Sequence, residues 1–325
     1  MTDARPLVVV SQPIHPAGLQ ILEAHARVVI PEEPSEAGVL AVGAEAEALL
    51  IRTRPILTDS LMTSLKRLRC VARYGTGLDN VDLQAATRLG LPVLYAPGRN
   101  ADAVAEHTLL LMLAVVKRLL PLDAGLRRGE WADLRVQGIG ELRGLTLGLI
   151  GVGNIGRRVA RLAGAFGMEV LGYDPYVSAE ELGRRGARKT DLDDLLQRAD
   201  IVSLHCPLTP ETRDILGREA IARMKVGAIA INTSRGGTVD QAALLEALQT
   251  GKVAGAGLDV FDPEPPEGSN PLFALDRVVL TPHVAGVSER ANRTIATQVA
   301  TDIVKVLRGE RPTMVANPEV LAARP

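Results

Sequence analysis

The sequence predicts an α/β protein built from two doubly wound parallel sheets. Three observations carry that prediction. Short apolar runs alternate with stretches of helical periodicity, the order that buries a parallel sheet between helices. A glycine-rich turn, Gly151-Val-Gly-Asn-Ile-Gly156, joins the apolar run Leu147–Ile150 to a helical stretch beginning at Arg157. A last helical stretch, Ser288–Leu307, carries Ile295, Val299, Ile303 and Val306 on one face and is expected to return to the first sheet. The chain has 325 residues, 46% of them hydrophobic, enough for two cores of ordinary size.

In chain order, Leu7–Val10 is a continuous apolar run, as in a strand covered on both faces. Ala17–Ala26 has helical spacing, and Ala48–Ile51 is a second strand. Asp59 is an acidic N-cap candidate for a helix to Lys66, and Cys70–Arg73 is a strand. A helix over Asp82–Leu89 ends at Gly90, a residue suited to the left-handed position past a helix, before a strand at Pro92–Tyr95. The turn cluster Pro97–Asn100 is a linker. A long helix over Ala101–Leu120 follows, then Pro121 and a second helix to Gly129. Beyond the glycine-rich turn, strands are expected at Met168–Tyr173, Asp200–Leu204, Ala228–Ile231, Val253–Ala256 and Val278–Leu280, with helices at Asp193–Gln197 and Ala242–Leu248. The chain therefore crosses twice, near Pro97–Asn100 and Ala285–Ser288, between a domain of residues 1–98 with 288–325 and one of residues 99–287. Two crossings make a hinge, and a cleft beside a hinge suits a small substrate.

Composition excludes several classes. Net charge is −1 and aromatics are only 2%, so neither a basic footprint nor a stacking platform for nucleic acid is present. The longest apolar run, Leu109–Leu120, is interrupted by Lys117-Arg118 and is too short to span a bilayer. The lead into the first strand offers no secretory apolar region. The two cysteines, Cys70 and Cys206, end apolar runs and suggest neither a disulfide framework nor a metal site. A soluble, cytoplasmic protein with no metal is expected.

The spacing G-x-G-x-x-G at a strand-to-helix junction has a physical reading. Gly151 permits the tight turn, Gly153 lets a pyrophosphate approach the backbone, and Gly156 lets the helix pack on its strand. The helix start offers unpaired N–H groups and the positive end of its dipole. Asp174 ends the next strand about 20 residues on, where a carboxylate holds the ribose hydroxyls of a dinucleotide and disfavours a 2′-phosphate. Three further strand-end loops supply chemistry. Arg235, in Ile231-Asn-Thr-Ser-Arg-Gly-Gly237, can grip a carboxylate with paired N–H donors. Glu264 lies between prolines in Gly257-Leu-Asp-Val-Phe-Asp-Pro-Glu-Pro-Pro266. His283 follows Pro282 at a strand end, where a carboxylate such as Glu264 would orient its ring and favour its protonated form. Of the other four histidines, His15 and His25 read as surface residues and His107 as structural. His205 ends a strand and either lines the cofactor site or packs.

These motifs together resemble the D-isomer-specific 2-hydroxyacid dehydrogenases. The resemblance rests on Arg73-Tyr-Gly-Thr-Gly-Leu-Asp-Asn-Val-Asp82, Val104-Ala-Glu-His-Thr108, the Gly151–Gly156 turn, Thr233-Ser-Arg-Gly-Gly237, Leu258-Asp-Val-Phe-Asp-Pro-Glu-Pro265 and Thr281-Pro-His283. Ile51–Thr58 and Gly75–Arg88 look most like the D-3-phosphoglycerate dehydrogenases within it. The resemblance implies a Rossmann NAD-binding domain inserted into a flavodoxin-like substrate domain. It implies hydride transfer between NAD and a small 2-hydroxy or 2-keto acid, with His283 as acid–base, Glu264 as its partner and Arg235 as carboxylate anchor. Arg52 and the main chain of Thr76 and Gly77 would join Arg235 and His283 at the substrate. Val104, Gly151, Gly153, Asn154, Ile155, Gly156, Asp174, Cys206, Pro207, Thr212, Thr233 and Asp259 would line the cofactor. The region 101–129 would form a homodimer. Serine feedback at a C-terminal regulatory domain is not expected of a chain ending at Pro325. Ile56 stands where relatives often have Lys, and Arg54 or Arg135 would compensate toward a phosphate. The substrate is open among 3-phosphoglycerate, hydroxypyruvate and glyoxylate, and a non-catalytic NAD-sensing scaffold or corepressor is the alternative.

Overall fold

The computed structural model describes residues 5–136 and 138–322. Met1–Ala4, Gln137 and Ala323–Pro325 lie outside the described residues, and with them the outer ends of the expected first domain. The chain opens with β1 (Leu7–Val10), α1 (Pro16–Glu23), β2 (Arg27–Val29), α2 (Glu36–Gly43), β3 (Ala46–Ile51), α3 (Asp59–Ser64), β4 (Cys70–Arg73), α4 (Leu83–Arg88) and β5 (Val93–Leu94). Then come α5 (Ala101–Val116), α6 (Leu119–Arg127), α7 (Trp131–Arg135), β6 (Thr146–Ile150), α8 (Gly156–Ala165), β7 (Glu169–Tyr173), α9 (Ala179–Arg184) and β8 (Arg188–Lys189). They are followed by α10 (Leu192–Arg198), β9 (Ile201–Leu204), α11 (Arg218–Arg223), β10 (Ala228–Asn232), α12 (Gln241–Thr250), β11 (Val253–Leu258) and β12 (Val278–Leu280). The chain closes with α13 (Glu289–Leu307) and α14 (Glu319–Ala322).

Two compact units result, dividing after Asn100 and before Val287. The first holds a five-stranded sheet in the order β2-β1-β3-β4-β5, all neighbours parallel. This is the flavodoxin-like order, in which the chain reverses direction across the sheet between β1 and β3. Successive residues of each strand serve opposite faces, as the two-residue period demands. Val8, Val10, Ala48, Leu50 and Ala72 pack under α1 and α13, while Val9, Leu49, Ile51 and Val71 pack against α2, α3 and α4. The tail is stitched in by polar groups. Buried Asn317 accepts from the Val93 N–H at 2.8 Å and donates to the Leu91 carbonyl at 2.9 Å. Fully buried Asp302 of α13 accepts from the Thr313 and Met314 N–H groups at 2.8 and 3.1 Å.

The second unit holds a seven-stranded sheet, β12-β11-β10-β9-β6-β7-β8, again parallel throughout. From β6 the chain first winds one way, to β7 and β8, then returns to β9 and winds the other. That makes the Rossmann switch point between β6 and β9, where a crevice opens at the strands' carboxyl ends. Leu147, Leu149, Ile201 and Ile231 face α5 and α8, and Ile150, Val202, Leu204 and Ala230 face α10 and α12.

Three sequence expectations change. The break in the long helix falls at Arg118, whose φ is +52°, so α5 stops at Val116 and Pro121 sits in the first turn of α6. A first-turn proline costs no hydrogen bond, because that N–H has no partner in the helix. Two short edge strands lie outside the expected set: β8 is Arg188-Lys189, with no apolar signal, and β2 is only three residues long, Arg27-Val28-Val29. His15 is not a surface residue. Its Nδ1 accepts from the Ala17 N–H at 3.1 Å, capping α1, and its Nε2 meets Glu289 Oε1 at 2.7 Å. Among the described residues no helix is long and apolar enough to cross a membrane.

Candidate active site

In the second unit, the chemistry-bearing residues gather where the strands of the sheet end. Gly151, just past β6, has φ +88°, and a Cβ at Gly156 would lie 2.3 Å from the Gly151 carbonyl oxygen. A side chain at either position would therefore open the turn. A Cβ on Gly153, by contrast, would meet nothing within 4 Å, so the turn is tight against its own fold and open on its outer side. Asn154 and Ile155 complete the approach to α8. Asp174, past β7, is tied to the same turn: its carboxylate accepts from the Val152 N–H at 3.0 Å and from the Tyr176 N–H at 3.1 Å.

The loop after β9 lies across the switch point. The His205 N–H donates to the Ile150 carbonyl at 2.8 Å, so the end of β9 is sewn to the start of the glycine turn. His205 is half-buried, and desolvation of its ring pushes its pKa down to about 3. Burial also pushes the Cys206 thiol up to about 11, with the Asp174 charge contributing. Farther along, Thr212 donates to the Pro207 carbonyl at 2.6 Å and closes that loop.

Arg235 follows β10 in a loop knotted by a residue that the motif reading passed over. Buried Asn232 accepts from the Ser234 N–H and hydroxyl at 3.0 and 2.8 Å and donates to the Arg235 carbonyl at 2.9 Å. Thr238 also donates to that carbonyl, at 2.7 Å. Four bonds thus fix the backbone from which the guanidinium extends. Its Nη1 donates to the Ser234 carbonyl at 2.7 Å.

His283 and Glu264 meet: Nδ1 lies 2.9 Å from Oε2, and both side chains are partly exposed. An ionised carboxylate can only accept, so Nδ1 carries the proton and Nε2 is left to gain or lose one. His283 has φ +54°, a left-handed backbone that a histidine adopts at a cost. Its N–H donates to the Asp259 carbonyl at 2.8 Å, and the Asp259 carboxylate, wholly buried, accepts from Val284 and Ala285 N–H at 2.9 and 2.8 Å. A pocket of about 400 Å³ adjoins the pair, walled by Phe261, Pro265, Phe273 and Leu280. Val104, on α5, is buried, and Thr233 meets Thr108 of the same helix at 3.0 Å.

The remaining expected residues belong to the first unit. Arg52 follows β3, with its guanidinium carbon 5.6 Å from the centre of the Tyr74 ring. The Asn80 side chain donates to its carbonyl at 3.3 Å. Thr76 and Gly77 follow β4.

Residues 109–285 match the family model described as D-isomer specific 2-hydroxyacid dehydrogenase, NAD binding domain. The chain belongs to the D-isomer-specific 2-hydroxyacid dehydrogenases. It is 43% identical over 311 residues to D-3-phosphoglycerate dehydrogenase of Methanocaldococcus jannaschii, covering 95% of this chain but 59% of that relative. The chain thus spans little more than half the length of that relative. It is 40% identical to hydroxypyruvate reductase of Thermotoga maritima, over 94% of this chain and 99% of that one. The D-lactate dehydrogenase of Aquifex aeolicus, solved with NAD and lactic acid, superposes with a TM-score of 0.81 at 31% identity, covering 98% of both chains. As a member of this family, the protein has an NAD-binding domain. The glycine turn fits that cofactor, being open at Gly153 and backed by a carboxylate suited to ribose hydroxyls. Among the described residues, no cluster of His, Cys, Asp and Glu is placed to hold a metal.

Proposed function

We propose that this 2-hydroxyacid dehydrogenase interconverts a D-2-hydroxy acid and its 2-keto acid with NAD, with 3-phosphoglycerate the first candidate and hydroxypyruvate or glyoxylate the alternatives. The observation that carries the reading is the His283–Glu264 pair at 2.9 Å on the loop after β12. Arg235 grips the substrate carboxylate and C2 oxygen through its paired N–H groups. Arg52 and the main-chain N–H groups of Thr76 and Gly77 add donors for the carboxylate. The main chain of Gly153, Asn154 and Ile155 holds the pyrophosphate and Asp174 the ribose hydroxyls. Val104, Cys206, Pro207, Thr212, Thr233 and Asp259 line the rest of the cofactor. Bound NAD supplies or takes up the hydride. In reduction, His283 gives the proton on Nε2 to the forming alkoxide; in oxidation it takes that proton from the hydroxyl. Glu264 keeps Nδ1 protonated and offsets the charge of the imidazolium. A cytoplasmic setting suits a chain with only two cysteines, both buried.

A panel of 2-keto acids, followed by loss of NADH absorbance, tests the reading and ranks the substrates. His283→Ala is expected to lower turnover about 10²–10⁴-fold while leaving NADH affinity nearly unchanged. NADH binding with no turnover on any 2-keto acid would favour the sensing scaffold instead.

A further inference from the structure

Two successive residues of α5 reach two different strand-end loops. Thr108 donates its hydroxyl hydrogen to the Val104 carbonyl at 2.8 Å, so the 3.0 Å contact with Thr233 is a hydrogen bond given by Thr233, on the Arg235 loop. The preceding residue, His107, places Nε2 2.9 Å from the Thr281 hydroxyl, on the His283 loop. The direction of that second bond follows from counting protons. The Thr281 hydroxyl has one hydrogen and donates it to Asp259 Oδ1 at 2.5 Å. It can only accept from His107, so Nε2 of His107 carries a proton and donates. The same Nε2 lies 3.7 Å from Asp259 Oδ1.

The chain of bonds has a clear end. Asp259 is fully buried and grips the loop through Thr281, Val284 and Ala285. The loop so held carries His283 in its left-handed backbone. An uncompensated lone pair on Thr281, or a rotated hydroxyl, loosens the grip of Asp259 and lets the backbone relax away from φ +54°. Among the described residues, no hydrogen bond or ion pair joins His107 to His283 or Glu264. We infer that His107 is a positioning residue: through Thr281 and Asp259 it holds the 281–285 loop so that the ring of His283 stays on Glu264. This deepens the reading of His283 as acid–base and rests on it.

The test compares His107→Leu, which deletes the donor, with His107→Gln, whose amide N–H reaches a similar point. In His107→Leu, kcat is expected to fall about tenfold or more, the cost of a reacting group displaced by a fraction of an ångström, with NADH affinity held. His107→Gln should restore most of the loss. A second readout needs no turnover. In the ligand-free protein, the low-field ring proton of His283 bound to Glu264, identified by its loss in Glu264→Gln, should broaden or vanish in His107→Leu and return in His107→Gln. Thr281→Val removes the middle of the relay and should reproduce both effects, so it decides the matter should the leucine variant not fold. Unchanged kcat and an unchanged His283 resonance in these variants would overturn the inference. A wild-type enzyme inactive on every 2-keto acid would strike the proposed function instead, and the resonance would still report on the loop.

Discussion

His205 and Cys206 lie side by side after β9, and burial moves their pKa values in opposite directions. Each is kept neutral, because each charged form would lose its hydration without an opposite charge to replace it. Cys206, held near 11, stays a thiol and is no nucleophile at neutral pH. For His205, the sign of the effect on stability follows from linkage. Below the usual value of 6.5, the unfolded chain takes up a proton that the folded protein refuses until about pH 3. The unfolded state then binds more protons, so stability falls as pH drops through that window and is unaffected above it. Denaturation midpoints collected between pH 7 and 4 should show a shallower acid loss for His205→Leu than for the wild type. The difference in slope approaches about 1.4 kcal/mol per pH unit. Parallel slopes would mean that His205 is solvated in the native state.

At the scale of elements, α13 and the segment after it belong to the first unit through polar pins as well as packing. Asn317 satisfies the Val93 N–H and the Leu91 carbonyl, groups of β5 and its approach that no neighbouring strand serves. Removing the side chain leaves both buried and unpaired, which outweighs the small loss of contact area. Asn317→Ala is therefore expected to cost about 1–3 kcal/mol in urea unfolding. A surface position such as Glu310→Ala should stay within about 0.5 kcal/mol. Equal stabilities for the two variants would show that the tail is not pinned.

For the whole molecule, α5, α6 and α7 leave an apolar remainder. Leu110, Leu119, Leu120, Leu126 and Trp131 are between 48% and 61% exposed. Isolated exposed leucines are ordinary, but exposed apolar residues gathered on three successive helices suit an interface. A homodimer through residues 101–129, as the family resemblance implies, would cover it. Leu119→Glu with Leu126→Glu places carboxylates on that surface and should convert a dimer to a monomer in light-scattering mass measurements, with the helical spectrum unchanged. A wild-type monomer at micromolar concentration, or a dimer that survives both charges, would place the interface elsewhere.

The sequence alone determined the alternation of strands and helices, the glycine turn with Asp174, and the Arg235, Glu264 and His283 loops. Each is a local pattern: a period, a spacing of glycines, a polar residue at a strand end. What only the tertiary structure decided is non-local. His107 read as one more residue of a helix until the fold set it against Thr281, far away in the chain. Asn232 and Asp259 likewise sit in apolar stretches where nothing nearby in sequence announces that they fasten a loop. The break of the long helix shifted from Pro121 to Arg118 because a proline is harmless in a first turn, whereas the path of the chain demanded a left-handed residue. Hydrogen bonds between segments depend on how sheets and helices pack, and packing leaves no periodic trace in the residues that it brings together.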